Sequence, residues 1–162
     1  MRGNVYSMIM SFLLAVCLCA CSHSAAVTAN GSAQVFNQSV TPVTYQLANN
    51  YFIKNNVTGL VPRHIRSSAE FTRYFGMAAT MGKNGKPTPI DFAAHDVIVY
   101  DAGIVQKQLE ITPLTLNYAQ DKLVLDVRIR SGARQSYQMH PFVILIVPKN
   151  LPDKVEFKLL QP

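Results

Sequence analysis

Between Lys122 and Arg130 the chain alternates strictly: Leu123, Leu125, Val127 and Ile129 share one parity, and Val124, Asp126, Arg128 and Arg130 share the other. A period of two sends successive side chains to opposite faces of a strand, so this segment can bury one face of a sheet and has no helical face to offer. Ser131-Gly132-Ala133 then reads as a tight connection, and Arg134 to His140 as a returning strand with Tyr137 and Met139 inward. Pro141 has no amide hydrogen and interrupts the ladder, after which Phe142 to Val147 continues as a wholly apolar strand. Val97-Ile98-Val99-Tyr100 has the composition of a buried central strand. Gln106 to Thr112 adds a strand of weaker alternation, and Val155-Glu156-Phe157 a closing edge strand.

One helix stands out. Ser67 and Glu70 have capping-box spacing, and Phe71, Tyr74 and Phe75 follow at helical intervals, so a helix is expected over about Ser68 to Met77. Tyr45 to Ile53 reads as a strand with an irregularity at Asn49-Asn50. Gly82-Lys83-Asn84-Gly85-Lys86-Pro87 is too rich in turn residues to be anything but a loop. One helix followed by hairpin-connected strands predicts an α+β fold: an antiparallel sheet with one short helix against a face.

The N-terminal region carries a different message. All three cysteines fall within the first 21 residues, so the body has no disulfide, no cysteine nucleophile and no thiolate metal ligand. Arg2 precedes an apolar run from Val5 to Val16 that is too short to span a membrane, followed by Leu18-Cys19-Ala20-Cys21. That tetrad resembles the bacterial lipobox. By that resemblance residues 1–20 are a signal peptide and Cys21 is the lipidated mature N-terminus. After Arg2 no charged residue occurs before Lys54, and residues 21–43 read as a flexible tether of Ser, Ala, Thr, Asn and Gln. A single domain is expected over 44–162, held to the membrane through the lipid on Cys21, in the cell envelope on the periplasmic side of the outer membrane. The absence of acids after Cys21 favours that side, because such acids in some Gram-negative lipoproteins resemble a surface-export signal.

Charge excludes one class of partner. The net +6 becomes +5 once Arg2 leaves with the signal peptide, and no block of like charges resembles a nucleic-acid tail. His23, His64, His95 and His140 are far apart, with no two at metal-ligand spacing, and neither metal nor cofactor is expected. His95 and Asp96 are neighbours on one strand and point apart, so they form no catalytic couple; the histidines read as surface or loop residues. No Gly-x-Ser-x-Gly elbow is present, and Pro87 stands where a phosphate loop needs a hydroxyl. No catalytic residue is therefore assigned.

The basic residues offer the remaining candidate. If residues 131–133 form the turn, Arg130 faces Arg134, and Arg128, Arg130 and Arg134 gather on the polar face of one hairpin tip. Facing cations cost stability unless something anionic neutralises them, and a solvated edge that resists aggregation is the plain alternative.

Strand Tyr51-Phe52-Ile53, the helix from Ser67 to Phe75, Asp91-Phe92 before Val97-Ile98-Val99, the long hairpin, and Pro141-Phe142-Val143-Ile144 ending at Val147-Pro148-Lys149 together resemble the C-terminal domain of PrcB protease-complex subunits. The segment Lys83 to Phe92 is similar to uncharacterised small lipoproteins of Gram-negative gut bacteria. The resemblance implies a non-catalytic accessory that binds a protease partner. Where that family carries a Gly-Gly-Tyr-like turn, this chain has Asp101-Ala102-Gly103-Ile104. The expected function is a lipid-anchored, non-enzymatic domain that binds another protein such as a peptidase. The competing readings are a carrier of a small anionic or lipidic ligand, for which a hollow between helix and sheet would be decisive, and a weakly marked periplasmic hydrolase.

Overall fold

The computed structural model describes residues 40–78 and 85–160; the segment expected as a signal peptide (1–20), Cys21, most of the expected tether and the start of the Gly82–Pro87 loop lie outside the described residues. In chain order, β1 is Thr41–Pro42, β2 Gln46–Ala48, β3 Tyr51–Ile53 and β4 His64–Ile65. Helix α1 covers Ser68–Tyr74, and β5, Phe75–Met77, follows it directly. The long strands are β6 His95–Asp101, β7 Val105–Ala119, β8 Lys122–Met139, β9 Phe142–Pro148 and β10 Val155–Leu160. The class is α+β, as expected.

The strands form two stacked sheets and a small two-stranded sheet. One sheet has the order β1-β7-β8-β10, the second β2-β9-β6-β4, and β3 pairs with β5 alone. All pairs are antiparallel except β10, which runs parallel to β8 with Val155 beside Leu123 and Phe157 beside Leu125. The second sheet is the middle layer. Ile98, Tyr100, Leu145 and Val147 pack against Leu116, Leu123, Leu125 and Val127 of the first sheet. From the other face, Val97, Val99 and Ile144 meet Phe71 and Phe75 on the helix side. Burial on both faces is why β6 and β9 are continuous apolar runs, while β8, covered on one face, alternates.

The two sheets are one long hairpin folded over. Strand β6 leads into β7 through residues 102–104, β8 into β9 through His140-Pro141, and Ala102 N–H donates to the Pro141 carbonyl at 3.0 Å across the bend. The tip is not where the sequence placed it. The chain reverses at Gln120 and Asp121, whose φ values of 51° and 58° make the primed turn that matches strand twist. Ser131-Gly132-Ala133 instead lies within β8, at a bulge: Leu109 pairs with Ser131, but Lys107 pairs with Arg134.

Other boundaries move for local reasons. Thr41 and Pro42, read as tether, pair with Tyr118 and Asn117, so sheet structure begins before Thr44. The helix stops at Tyr74, because Phe75 is extended (φ −111°, ψ 141°) and pairs with Ile53. Ser67 Oγ caps the Glu70 amide at 3.2 Å as expected, whereas the Glu70 carboxylate accepts from the Arg66 amide at 3.4 Å and not from Ser67. The irregularity at Asn49-Asn50 is a corner between sheets, with Asn50 at φ 62°.

Candidate functional site

The first candidate is the stretch of β7–β8 nearest the bend. Strand β10 covers β8 from Leu123 to Arg128, and β1 covers β7 at Asn117 and Tyr118. From Arg130 to Met139 on β8, opposite Glu110 to Val105 on β7, the two strands pair with each other alone among the described residues. Nearly every β8 residue from Arg130 to Gln138 is exposed, Gln135 being half-buried. A two-stranded ribbon open at both edges and on both faces is marginal by itself and is a template for another chain.

The expected arginine cluster is only partly formed. Arg128 and Arg130 share one parity and stand opposite Thr112 and Glu110. Arg130 does not face Arg134; its guanidinium lies 3.9 Å from the Glu110 carboxylate. The bulge shifts the alternation by one, sets Arg134 beside Lys107, and leaves it donating to Gln106 Oε1 at 3.3 Å. A turn at residues 131–133 would set Asp126 against Gln138 and Val124 against His140. In the structure they meet Thr115 and Asn117. Tyr137, expected inward, is 58% exposed, because this half of β8 has no sheet beneath it.

The histidines are not surface or loop residues as a class. The sequence reading missed two His–Asp couples built across the sheets. His140 Nε2 lies 2.7 Å from Asp101 Oδ1. The Asp101 carboxylate also accepts from the Gly103 amide at 2.8 Å and the Val61 amide at 2.9 Å. This Asp is a staple for the bend and for the loop before β4. The second couple is His64 and Asp96, 3.4 Å apart and enclosed between the layers. Lys149 Nζ lies 3.8 Å from Asp96, and exposed Asp153 bridges His64 at 3.8 Å and Arg66 at 2.7 Å. No spacing in the sequence announces these couples; only the pairing of β4 with β6 and of β6 with β9 brings them together. His95 Nδ1 lies 3.3 Å from the Asp91 carbonyl, and Asp96 points away from it, as expected for adjacent strand residues.

A His–Asp couple becomes catalytic when the imidazole faces a hydroxyl, a thiol or a water that it can deprotonate. Among the described residues no hydroxyl or thiol is hydrogen-bonded to His64 or His140. No group of three or more His, Cys, Asp or Glu among them could hold a metal ion. No helix among them is long and apolar enough to cross a membrane.

Two clefts flank the middle sheet. One, of about 470 Å³, runs between Leu60, Arg63 and Tyr100 on one side and Phe157 and Leu159 on the other. Its polar groups are already engaged: Arg63 donates to the Val155 carbonyl at 3.1 Å and lies 5.0 Å from the Phe157 ring centre. Burial, with help from the Asp101 charge, pushes the Tyr100 phenol up. The other cleft, of about 490 Å³, lies beside α1 and is lined mainly by aromatic and aliphatic groups. Compared with family models, curated proteins and solved structures, the chain finds no match in any of the three.

Proposed function

We propose that the chain is a lipid-anchored, non-enzymatic cell-envelope domain that binds another protein through the β7–β8 ribbon. The observation that carries this reading is the run from Arg130 to Gln138, a strand exposed on both faces and paired on one edge only among the described residues. An extended segment added to such an edge gains main-chain hydrogen bonds, and side chains on alternate positions give selectivity. The ribbon carries Lys107, Arg130 and Arg134 against Glu110, with Arg128 next to it, so an acidic segment is the complementary partner. A peptidase is the partner class that the resemblance implies. The lipid on Cys21 holds the domain at the membrane, and the tether supplies reach.

The test is capture from solubilised envelope with the tagged full-length lipoprotein, alongside the variant Arg128→Ser/Arg130→Ser/Arg134→Ser. A partner retained by the wild type, lost by the variant at unchanged melting temperature, and released by moderate salt is the expected result. Identical capture by both proteins refutes the ribbon as the contact. Intact-mass measurement checks the anchor independently: mature protein without acyl chains at Cys21 refutes it.

A further inference from the structure

The cleft beside α1 lies on the helix side of the middle sheet, away from the ribbon sheet. Its floor is a packed aromatic group. Phe71 meets Tyr51 edge-on at 5.2 Å, stacks on Phe75 at 4.7 Å and touches Phe92 at 5.6 Å between ring centres. Its far wall, residues 86–92, is pinned to the Asn49-Asn50 corner. Asn50 Nδ2 donates to the Lys86 carbonyl at 2.9 Å, and the Thr88 amide to the Asn49 carbonyl at 3.1 Å. The Asn49 amide donates to Thr88 Oγ1 at 3.0 Å, and Tyr51 Oη to the Thr88 carbonyl at 2.6 Å. The cleft is therefore preformed, and its volume of about 490 Å³ falls inside the range of small-molecule sites, about 300–1,000 Å³.

Its chemistry is lopsided. Among the described residues, Lys86 is the only charged one in the lining, no carboxylate lines the cleft, and Lys86 makes no ion pair. The hydroxyl residues Ser68 and Thr72 complete the polar edge. A peptide would bring amides needing partners, yet the wall's own groups at Lys86 and Thr88 are already bonded to the Asn49-Asn50 corner and Tyr51. An alkyl chain asks for none. A volume of about 490 Å³ matches one alkyl chain more closely than the two chains and headgroup of a phospholipid.

We propose that this cleft binds a single-chain fatty carboxylate, with its alkyl chain along Phe71, Phe75, Ile90 and Phe92 and its carboxylate at Lys86. Met77, 72% exposed at the mouth, is the flexible side chain that closes over the alkyl chain.

The experiment is calorimetric titration of the full chain carrying Cys21→Ser, so that no attached acyl group competes. Dodecanoate is compared with dodecyltrimethylammonium, both below their micelle-forming concentrations, and with phosphatidylglycerol vesicles. Saturable one-to-one binding of dodecanoate is expected, with the cationic amphiphile at least about tenfold weaker, as loss of a charge-assisted contact implies. Lys86→Glu should weaken dodecanoate by a similar factor at unchanged melting temperature, and Lys86→Arg should restore it. Met77→Glu, at an exposed position, should also weaken it. Absence of saturable dodecanoate binding, equal binding of both amphiphiles, or binding to vesicles alone overturns the proposal.

Discussion

His64 Nε2 lies 3.4 Å from Asp96 Oδ2, and the two side chains are only 5% and 4% exposed. They belong to neighbouring strands, His64 opposite Ile98 and Asp96 opposite Val147, on the face of the middle sheet that meets β7–β8. Neither ring nitrogen, nor Asp96 Oδ1, makes a hydrogen bond among the described residues. The couple therefore trades desolvation against attraction at close range, the regime in which removing one member costs more than removing both.

From this follows a double-mutant cycle. His64→Leu leaves the buried Asp96 carboxylate with Lys149 at 3.8 Å as its remaining ionic neighbour, and should cost up to about 3–5 kcal/mol in urea unfolding. His64→Leu/Asp96→Leu should recover most of that loss, because an apolar pair fits between the layers. Additive losses in the double variant would show that the residues do not act as a couple.

Val127 is fully buried between the two sheets, and Val127→Ala should lower stability by about 1–3 kcal/mol. Arg128→Ser/Arg130→Ser acts on the outer face, and unfolding free energy should move by only about 0.5 kcal/mol. The sign is informative. Facing arginines would make the double change stabilising, whereas Glu110 opposite Arg130 makes it neutral or slightly destabilising. Denaturant melts of the three proteins separate these cases.

Phe52 stands over Gly76 across the antiparallel β3–β5 pair, and a Cβ at Gly76 would come within 2.4 Å of the ring's Cζ. Gly76→Ala must therefore push the ring aside. Phe52 is 46% exposed and can swing outward, so the cost should stay near 1 kcal/mol, the scale of one lost aromatic contact. In a Phe52→Ala background Gly76→Ala should cost nothing. A cost that persists there would locate the constraint in the backbone.

The half of the fold that could be read from the chain is the half with one face buried. Leu123, Leu125 and Val127 are fully buried, and their alternation is the direct imprint of one sheet face. Val97 to Tyr100 and Ile144 to Val147 show as apolar runs because both faces are covered. The ribbon misled because Ser131-Gly132-Ala133 has turn composition, while Gln120-Asp121, the real reversal, contains no glycine. At Gly132 the small side chain serves a different need: a Cβ there would sit 3.1 Å from Gln108. The site was harder still. Arg128, Arg130 and Arg134 were visible as residues, but their grouping depended on register, and one bulge separates Arg134 from the other two. The His64–Asp96 and His140–Asp101 couples each span more than thirty positions, so only the sheet pairing reveals them. The cleft at Lys86 likewise depends on how residues 86–92 hang from Asn49 and Asn50.

The last strand has its own pH dependence. Glu156 Oε2 accepts from Lys122 Nζ at 2.6 Å, and Glu156 Oε1 lies 3.5 Å from Lys154 Nζ. The hydrogen bond from Lys122 is the main cause that holds the Glu156 carboxyl below its ordinary value; partial burial opposes it, and the Lys122 and Lys154 charges add to the lowering. A carboxylate that binds its proton less readily folded than unfolded stabilises the fold while the unfolded group is ionised. That contribution is complete above the ordinary glutamate value, about pH 4.3, and disappears as pH falls through the lower folded value. Glu156→Gln should therefore be less stable than wild type at neutral pH. The gap should be constant down to about pH 5, narrow below about pH 4.3, and close once both states are protonated. Parallel thermal melts across that range provide the measurement. A gap that widens on acidification would mean that Glu156 is held as the acid and that β10 is not clamped to β8 by this pair.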